Sequence, residues 1–301
     1  MRLSGRLTGF IAGANGRRLV TAAPFLWLSV FFLAPFAIVF GISLSRSRFG
    51  VPPYEPLIQN GAIAARLDNY AFLLEDPLYF NALANSLQIA ATSAAICLLI
   101  GYPIALGVAR APQKWRPPLL LAVVLPFWTS FLIRVYAWMG LLKNEGLINQ
   151  TLLALGVIDE PLPLLQTSFA VHLGIVYSYL PFMVLPLYAT LERMDLSLLE
   201  AAFDLGARPW RAFLTITLPL SLPGVLAGFL LVFVPAVGEF VIPELLGNSG
   251  TAMIGKVLWT EFFNNRDWPL ASALAVTVLA LIVAPLAWLE HLRLRRSEGR
   301  R

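Results

Sequence analysis

The sequence predicts an all-α integral membrane protein with six transmembrane helices, and three observations carry that prediction. Hydrophobic residues make up 58% of the 301 positions and charged residues only 13%. The mean hydropathy is +0.74, far above that of a soluble domain of this length. Six stretches are long and apolar enough to cross a bilayer, at approximately 20–43, 83–109, 117–140, 168–190, 218–240 and 269–289. Each meets the requirement of roughly 20 residues for ~30 Å of hydrocarbon.

Taken in order, the first stretch is too long, and too poorly followed by a small-residue cleavage site, to be a removable signal peptide, and reads as a retained helix. The loop at 44–82 is the longest outer one. It holds Pro52, Pro53, Pro56 and Leu67-Asp68-Asn69-Tyr70, and short helices and turns are expected there. The second span carries the single cysteine, Cys97, which excludes an internal disulfide and a cysteine-based metal site and reads as a small packing residue. Pro103, Pro126, Pro181, Pro186 and Pro235 lie in or near spans. They predict kinks whose freed carbonyls neighbouring helices or polar groups satisfy. Such kinks suit a pore that opens and closes, and equally occur as ordinary irregularity. Leu218 to Gly238 and Pro269 to Leu289 hold no charge at all. The domain reading is a tail at 1–19, one six-helix domain at 20–290 and a basic tail at 291–301.

Orientation follows from the basic residues of the loops. Arg2, Arg6, Arg17 and Arg18 precede the first span, and Arg110, Lys114 and Arg116 follow the second, both without an acid. Arg293, Arg295, Arg296, Arg300 and Arg301 end the chain. The intervening loops carry Glu55, Asp68, Glu75 and Asp76, then Asp159 and Glu160. Both termini and the loop between spans four and five are therefore expected in the cytoplasm. The net charge of +5 is this asymmetry, and gives no reason to invoke nucleic acid.

That fourth loop is the most informative segment. Ser197-Leu198-Leu199-Glu200 reads as a capping box with Ser197 as N-cap. Gly206 supplies a left-handed residue to end the short helix. Pro209 suits the first turn of a second one through Trp210, Arg211, Phe213 and Leu214, and Pro219 and Pro223 mark the start of span five. An amphipathic linker lying on headgroups would look similar, but Glu192, Asp195, Glu200 and Asp204 suit an anionic surface poorly. Glu200-Ala201-Ala202, three residues, Gly206, nine residues, then Ile216-Thr217-Leu218-Pro219 resembles the EAA coupling loop of ABC-importer permeases in every element. The resemblance implies a type I ABC importer (MetI-like) permease fold with cytoplasmic coupling helices. It implies docking on an ATP-binding subunit present in two copies. The coupling residues so implied are Glu200, Ala201, Ala202, Asp204, Leu205, Gly206, Ala207, Phe213, Leu218 and Pro219, with Glu200 and Gly206 foremost.

Gly250-Thr251-Ala252-Met253-Ile254-Gly255-Lys256-Val257 imitates a phosphate-binding loop for seven positions. The eighth should be Ser or Thr to ligate magnesium and is Val257. No strand precedes it and the topology puts it outside, so it is rejected. No cofactor is expected on this chain, and Mg-ATP belongs to the partner ATPase.

Three further stretches resemble the spermidine/putrescine branch of these permeases, most of all its putrescine-type members: Leu125 to Trp138, Ala236 to Gly247 and Leu258 to Pro269, with Gly101-Tyr102-Pro103 in span two. This likeness implies a polyamine importer with a second homologous permease as heterodimer partner and a periplasmic polyamine-binding protein. Relatives of the branch also carry opines, 4-aminobutyrate or other small amines, which is the alternative cargo. A polyamine suits dispersed carboxylates and aromatic faces, each cation–π contact giving ~0.5–2 kcal/mol. The path candidates are Glu239, Trp128, Tyr136, Trp138, Glu244 and Glu261, with Asp267 and Trp268 nearby. The aromatics also read as interfacial anchors.

Glu239 follows Leu218 by 21 residues, about 30 Å along a helix, so it sits near the outer end of span five. Ionisable groups in spans are functional candidates by default. Arg134 reaches a similar depth in span three, and an Arg134–Glu239 ion pair is the bland alternative. His172 reads as a satisfied interfacial residue rather than a proton relay. A secondary transporter would show repeated halves and midplane acids, and a membrane enzyme a catalytic cluster. Neither is present, so no catalytic or metal residue is assigned.

Overall fold

The computed structural model of the chain describes residues 14–59 and 62–298. Arg2, Arg6, Arg300 and Arg301 of the orientation reading lie outside them. Helix α1 (Ala14–Leu28) and α2 (Ala34–Ser43) are joined by a widened π turn at Ser29–Leu33 and make the first span. A two-residue hairpin of β1 (Ile58–Gln59) and β2 (Ala62–Ile63) follows, antiparallel with Ile58 opposite Ile63, then α3 (Asp68–Glu75). The second span is α4 (Pro77–Arg110), which starts six residues before the sequence boundary of 83. Next come α5 (Arg116–Val124), a 3₁₀ turn at Leu125–Trp128, α6 (Phe131–Leu142) and α7 (Leu147–Ala154). Then follow α8 (Ser168–Glu192), α9 (Ser197–Asp204), α10 (Pro209–Ala212) and α11 (Leu218–Val237). The last are α12 (Val241–Leu246), α13 (Ile254–Trp259) and α14 (Trp268–Glu298).

Five helices among the described residues are long and apolar enough to span a membrane, and six if the pair Arg116–Trp128 and Phe131–Ala154 counts as one. That pair bends by 86°, which corrects the continuous third span expected at 117–140. Thr129 and Ser130 are extended at the break, and Thr129 Oγ1 donates to the Pro126 carbonyl at 2.8 Å. Short hydroxyl side chains that bond nearby backbone compete with the helix, and Pro126 opens the tighter turn in front of them.

Two π turns share a cause. Ala34 N–H bonds Ser29 O just before Pro35, and Leu218 N–H bonds Phe213 O just before Pro219. A proline ring clashes with the carbonyl four residues back, and a turn one residue wider moves that carbonyl away.

The helices form two compact units. One joins the described residues through Asp76 with those from Thr260 onward. In it α14 packs on α2 and α3. The Asn69 amide donates to Ser43 O at 2.8 Å and Ser45 O at 2.9 Å, satisfying carbonyls orphaned at the end of α2. Leu67-Asp68-Asn69-Tyr70 is thus a cap for the first span.

The other unit, Pro77–Trp259, is built on α4, α8 and α11 packed against one another. Its buried centre includes Ala94, Cys97, Ala105, Met183, Leu187 and Val232. Cys97 is fully buried, as expected of a packing residue. Gly228 of α11 lies so near α8 that a Cβ there would come within 2.8 Å of Met183 Sδ and 3.0 Å of its carbonyl oxygen. Small residues of this kind let helices in lipid approach closely, where packing rather than hydrophobicity drives association.

Candidate coupling loop and transport path

Between α8 and α11 the chain makes the helix–turn–helix expected from its sequence, with two changes. Leu196 precedes α9 with helical geometry and makes no side-chain cap bond, so Ser197 is the first residue of the helix rather than its N-cap. Asp195 Oδ1 instead accepts from Ser197 N–H at 3.0 Å, and this backbone bond, with a smaller contribution from the Ser197 hydroxyl, holds the Asp195 carboxyl below the usual carboxylate range. The acid belongs there because helix N-termini favour negative charge. The capping box on Ser197 and Glu200 is therefore corrected to a cap by Asp195. Secondly, α10 is no separate helix. It runs through the π turn into α11, giving one 29-residue span Pro209–Val237, because the widened turn absorbs Pro219.

The turn itself is as the glycine predicts. Gly206 has φ +81°, Gly206 N–H bonds Phe203 O and Ala207 N–H bonds Ala202 O, both at 2.9 Å. This pair of bonds is a Schellman closure. Glu200, Ala201, Asp204, Leu205 and Gly206 are exposed, and Ala202 and Ala207 half-buried. Large apolar side chains stand out beside them: Leu198, Phe203, Trp210 and, at 89% exposure, Leu205. The loop thus carries an uncovered apolar knob with acids at its rim.

Behind the loop the coupling candidates turn inward. Pro219 is exposed and Leu218 half-buried. Phe213 sits edge-on to Tyr102 at 5.5 Å, and Tyr102 Oη lies 2.8 Å from Ser221 Oγ. Through these contacts the turn after α10 touches α4, and α4 in turn touches α11. Arg116 Nη1 donates to Glu192 Oε1 at 3.1 Å, tying the basic loop after α4 to the start of the coupling segment. No sequence signal paired these residues, since each lies 70 or more positions from its partner.

At the other end of α11, Glu239 is only 7% exposed. Its Oε2 accepts from Tyr179 Oη at 2.6 Å. Its Oε1 accepts from the N–H groups of Phe240, Val241 and Ile242 at 3.1, 3.0 and 3.4 Å. The carboxylate lies on the N-terminus of α12, where orphan donors and the helix dipole hold it. The Arg134–Glu239 ion pair is thus absent. Arg134, 9% exposed, stacks its guanidinium over Phe127 at 5.0 Å and Phe131 at 5.8 Å. Its Nε and Nη1 have no hydrogen-bond partner among the described residues. The break before α6 explains the error, because a depth counted along a straight helix does not hold across an 86° bend.

Among the other path candidates, Trp128 is 74% exposed and Tyr136 half so. Trp138 packs edge-on against Tyr177 at 5.4 Å. Glu244 bridges Lys256 at 2.9 Å, which gives the lysine of the rejected phosphate loop a structural partner. Glu261 is buried, and its Oε2 accepts from the Asn265 amide at 2.8 Å. His172 meets Thr92 Oγ1 and the Ser168 carbonyl, each at 2.7 Å, as expected of a satisfied residue.

Apolar helices of membrane-spanning length, one of them broken after Pro126, with an exposed helix–turn–helix between two of them, define a multi-pass membrane protein. The chain belongs to the family described as binding-protein-dependent transport system inner membrane component, which matches residues 7–297. It is a transport subunit of the bacterial inner membrane and not an enzyme. It is 40% identical over 266 residues to the spermidine/putrescine transport system permease protein PotB of Haemophilus influenzae, covering 88% of this chain and 90% of that one. It is 47% identical over 212 residues to PotB of Escherichia coli K12, covering 70% and 77%. The inner membrane ABC transporter permease protein YdcU of Escherichia coli is 29% identical, covering 96% and 94%. The fold matches that of a bacterial ABC transporter involved in the import of the acidic polysaccharide alginate, with TM-score 0.65, 18% identity, and 96% and 99% covered.

Proposed function

We propose that this chain is the channel subunit of an ATP-driven polyamine importer. A periplasmic binding protein delivers putrescine or spermidine, and a second homologous permease completes the pore. A pair of ATP-binding subunits holds Mg-ATP and works through the loop at Glu200–Gly206. The observation that carries the coupling role is the exposed apolar knob of Leu198, Phe203, Leu205 and Trp210 on a loop locked by a Schellman turn. Such a patch marks a protein interaction site, and the Phe213–Tyr102–Ser221 chain leads from it into the helical core. The polyamine cargo is supported by the 40–48% identity to permeases of that name.

Of the path residues, Trp128 and Tyr136 offer open aromatic faces for cation–π contact. Glu239 is a positioning residue, since its lone pairs are taken by Tyr179 and three amides. Arg134 favours a second reading. A buried guanidinium with two unpartnered nitrogens suits a carboxylate, as in 4-aminobutyrate or an opine, and opposes a bare polyamine.

The test is uptake of labelled putrescine, spermidine and 4-aminobutyrate by cells lacking the gene, with complementation. Loss of polyamine uptake, restored by the wild type and not by Glu200→Gln present at normal membrane levels, supports both halves of the proposal. Restoration by Glu200→Gln removes the coupling role, and loss confined to 4-aminobutyrate moves the cargo to the zwitterionic class.

A further inference from the structure

A cleft of about 380 Å³ in the unit of the first and last spans has no role in transport so far described. It is lined by Ser47, Arg48, Asn264, Asn265 and Arg266, a set rich in hydrogen-bond donors. Arg48 belongs to a short hairpin closed by Glu55 N–H on Arg46 O and Arg48 N–H on Pro53 O. Arg266 is fixed at φ +53°, a conformation uncommon outside glycine. Neither guanidinium has an ion pair among the described residues. Asp267 Oδ1 accepts from Leu270 N–H, and Glu261 Oε2 from the Asn265 amide. The lining of the cleft thus brings two guanidiniums and two amides together with no carboxylate, a donor set that suits an anion.

A second cavity of about 290 Å³ shares Gly50, Pro53 and Arg266 with the first. Val51, Phe262, Phe263 and Trp268 give it an apolar lining. The combined site is cationic at one end and apolar at the other. Its depth is set by sequence, for Arg266 precedes Trp268, the first residue of the last span, by two positions. That is at most ~7 Å of chain, which keeps Arg266 within the headgroup layer. At the hairpin tip Phe49 is fully exposed, at 109%, and Val51 nearly so.

The geometry points to a binding site for one anionic phospholipid of the outer leaflet, its phosphate on Arg48 and Arg266 and its glycerol and upper acyl carbons against Phe263 and Trp268. A free inorganic anion has no use for the apolar cavity, and a cationic cargo has none for two guanidiniums. The site adds to the proposed importer and does not depend on its cargo.

The experiment uses the full chain purified with its importer partners in neutral detergent. Phosphatidylglycerol, phosphatidylcholine and inorganic phosphate are titrated in turn, with bound lipid counted by native mass spectrometry. Phosphatidylglycerol is expected to bind the wild type. Binding should weaken roughly thirty-fold in Arg48→Gln/Arg266→Asn, as two basic side chains at a membrane surface imply, and recover in Arg48→Lys/Arg266→Lys. Both positions are exposed, so an unchanged unfolding midpoint without lipid checks the fold of each variant. Equal binding by the double variant, equal binding of phosphatidylcholine, or displacement by millimolar phosphate would each overturn the assignment. So would variants that lose the binding protein while keeping phosphatidylglycerol, because the cleft would then be a protein contact. A change in cargo uptake has no bearing on these arms.

Discussion

Tyr179 donates a 2.6 Å hydrogen bond to the Glu239 carboxylate, tying the middle of α8 to the end of α11. The same carboxylate collects three amides from the start of α12. A group fully occupied in this way holds three elements together. Tyr179→Phe should destabilise the chain by about 2 kcal/mol, the range of a hydrogen bond to a charged group. Glu239→Ala should cost about 3 kcal/mol, leaving the half-buried Tyr179 hydroxyl without its acceptor and the helix uncapped, and Glu239→Gln less than Ala. Thermal unfolding of the purified chain checks this. An alanine variant of unchanged stability that fails only in uptake would make Glu239 a cargo ligand instead.

Gly206 is a conformational requirement rather than a steric one. Its φ is +81°, and a Cβ there would meet nothing within 4 Å. Gly206→Ala should therefore cost only about 1 kcal/mol, from the left-handed backbone, with Gly206→Asn milder. The apolar knob would tilt with the turn, so uptake should fall further than stability. Measuring both in the same membranes separates them, and equal losses would reduce the glycine to a folding residue.

At the front of α9, Asp195 rather than Ser197 does the capping. Its carboxyl is held low first by the Ser197 backbone bond and then by the Ser197 hydroxyl. The stabilisation is therefore fully present above the unfolded carboxylate pKa of about 3.9 and is lost as pH falls through the lower folded value. Amide exchange in residues 196–200 should be flat from neutral pH down to that range and speed up below it, once corrected for intrinsic rates. Asp195→Ala should raise exchange at neutral pH and remove the acid step, while Ser197→Ala, which keeps the larger backbone bond and loses the smaller side-chain one, should only reduce the step. The reverse ranking would restore the serine cap.

Arg134 tests the assembly. Buried with two unpartnered nitrogens, it is a cost to this chain alone, offset in part by Phe127 and Phe131. Arg134→Met should raise the stability of the isolated subunit by on the order of 1–2 kcal/mol, since an uncompensated buried charge is replaced by an apolar chain. Uptake should fall if a carboxylate of cargo or partner uses the arginine. Lower stability in the variant would mean that the cation is already compensated within the chain.

Much of this was legible in the residues. Apolar runs near 20–43 and 168–190 became helices at those places, because burying the backbone in hydrocarbon leaves no other choice. Pro209, Gly206 and the spacing from Glu200 to Pro219 located the helix–turn–helix, since glycine and proline act through the local chain. The third span was misread because Thr129-Ser130 and Pro126 break a helix whose hydropathy still runs on. The Ser197 cap failed because Asp195, two residues away, offers the first amides a charged acceptor.

The sequence by itself determined that this is a multi-pass helical membrane protein and where its polar helix–turn–helix lies, both consequences of composition, hydropathy and short-range backbone chemistry. Only the tertiary structure decided what each charge is for. It gave Glu239 to Tyr179 and α12, left Arg134 between two phenyl rings, and brought Arg48 to Arg266 across more than two hundred residues of chain. A carboxylate or guanidinium looks the same in any sequence, and its role is set by the donors, acceptors and apolar walls that folding places around it.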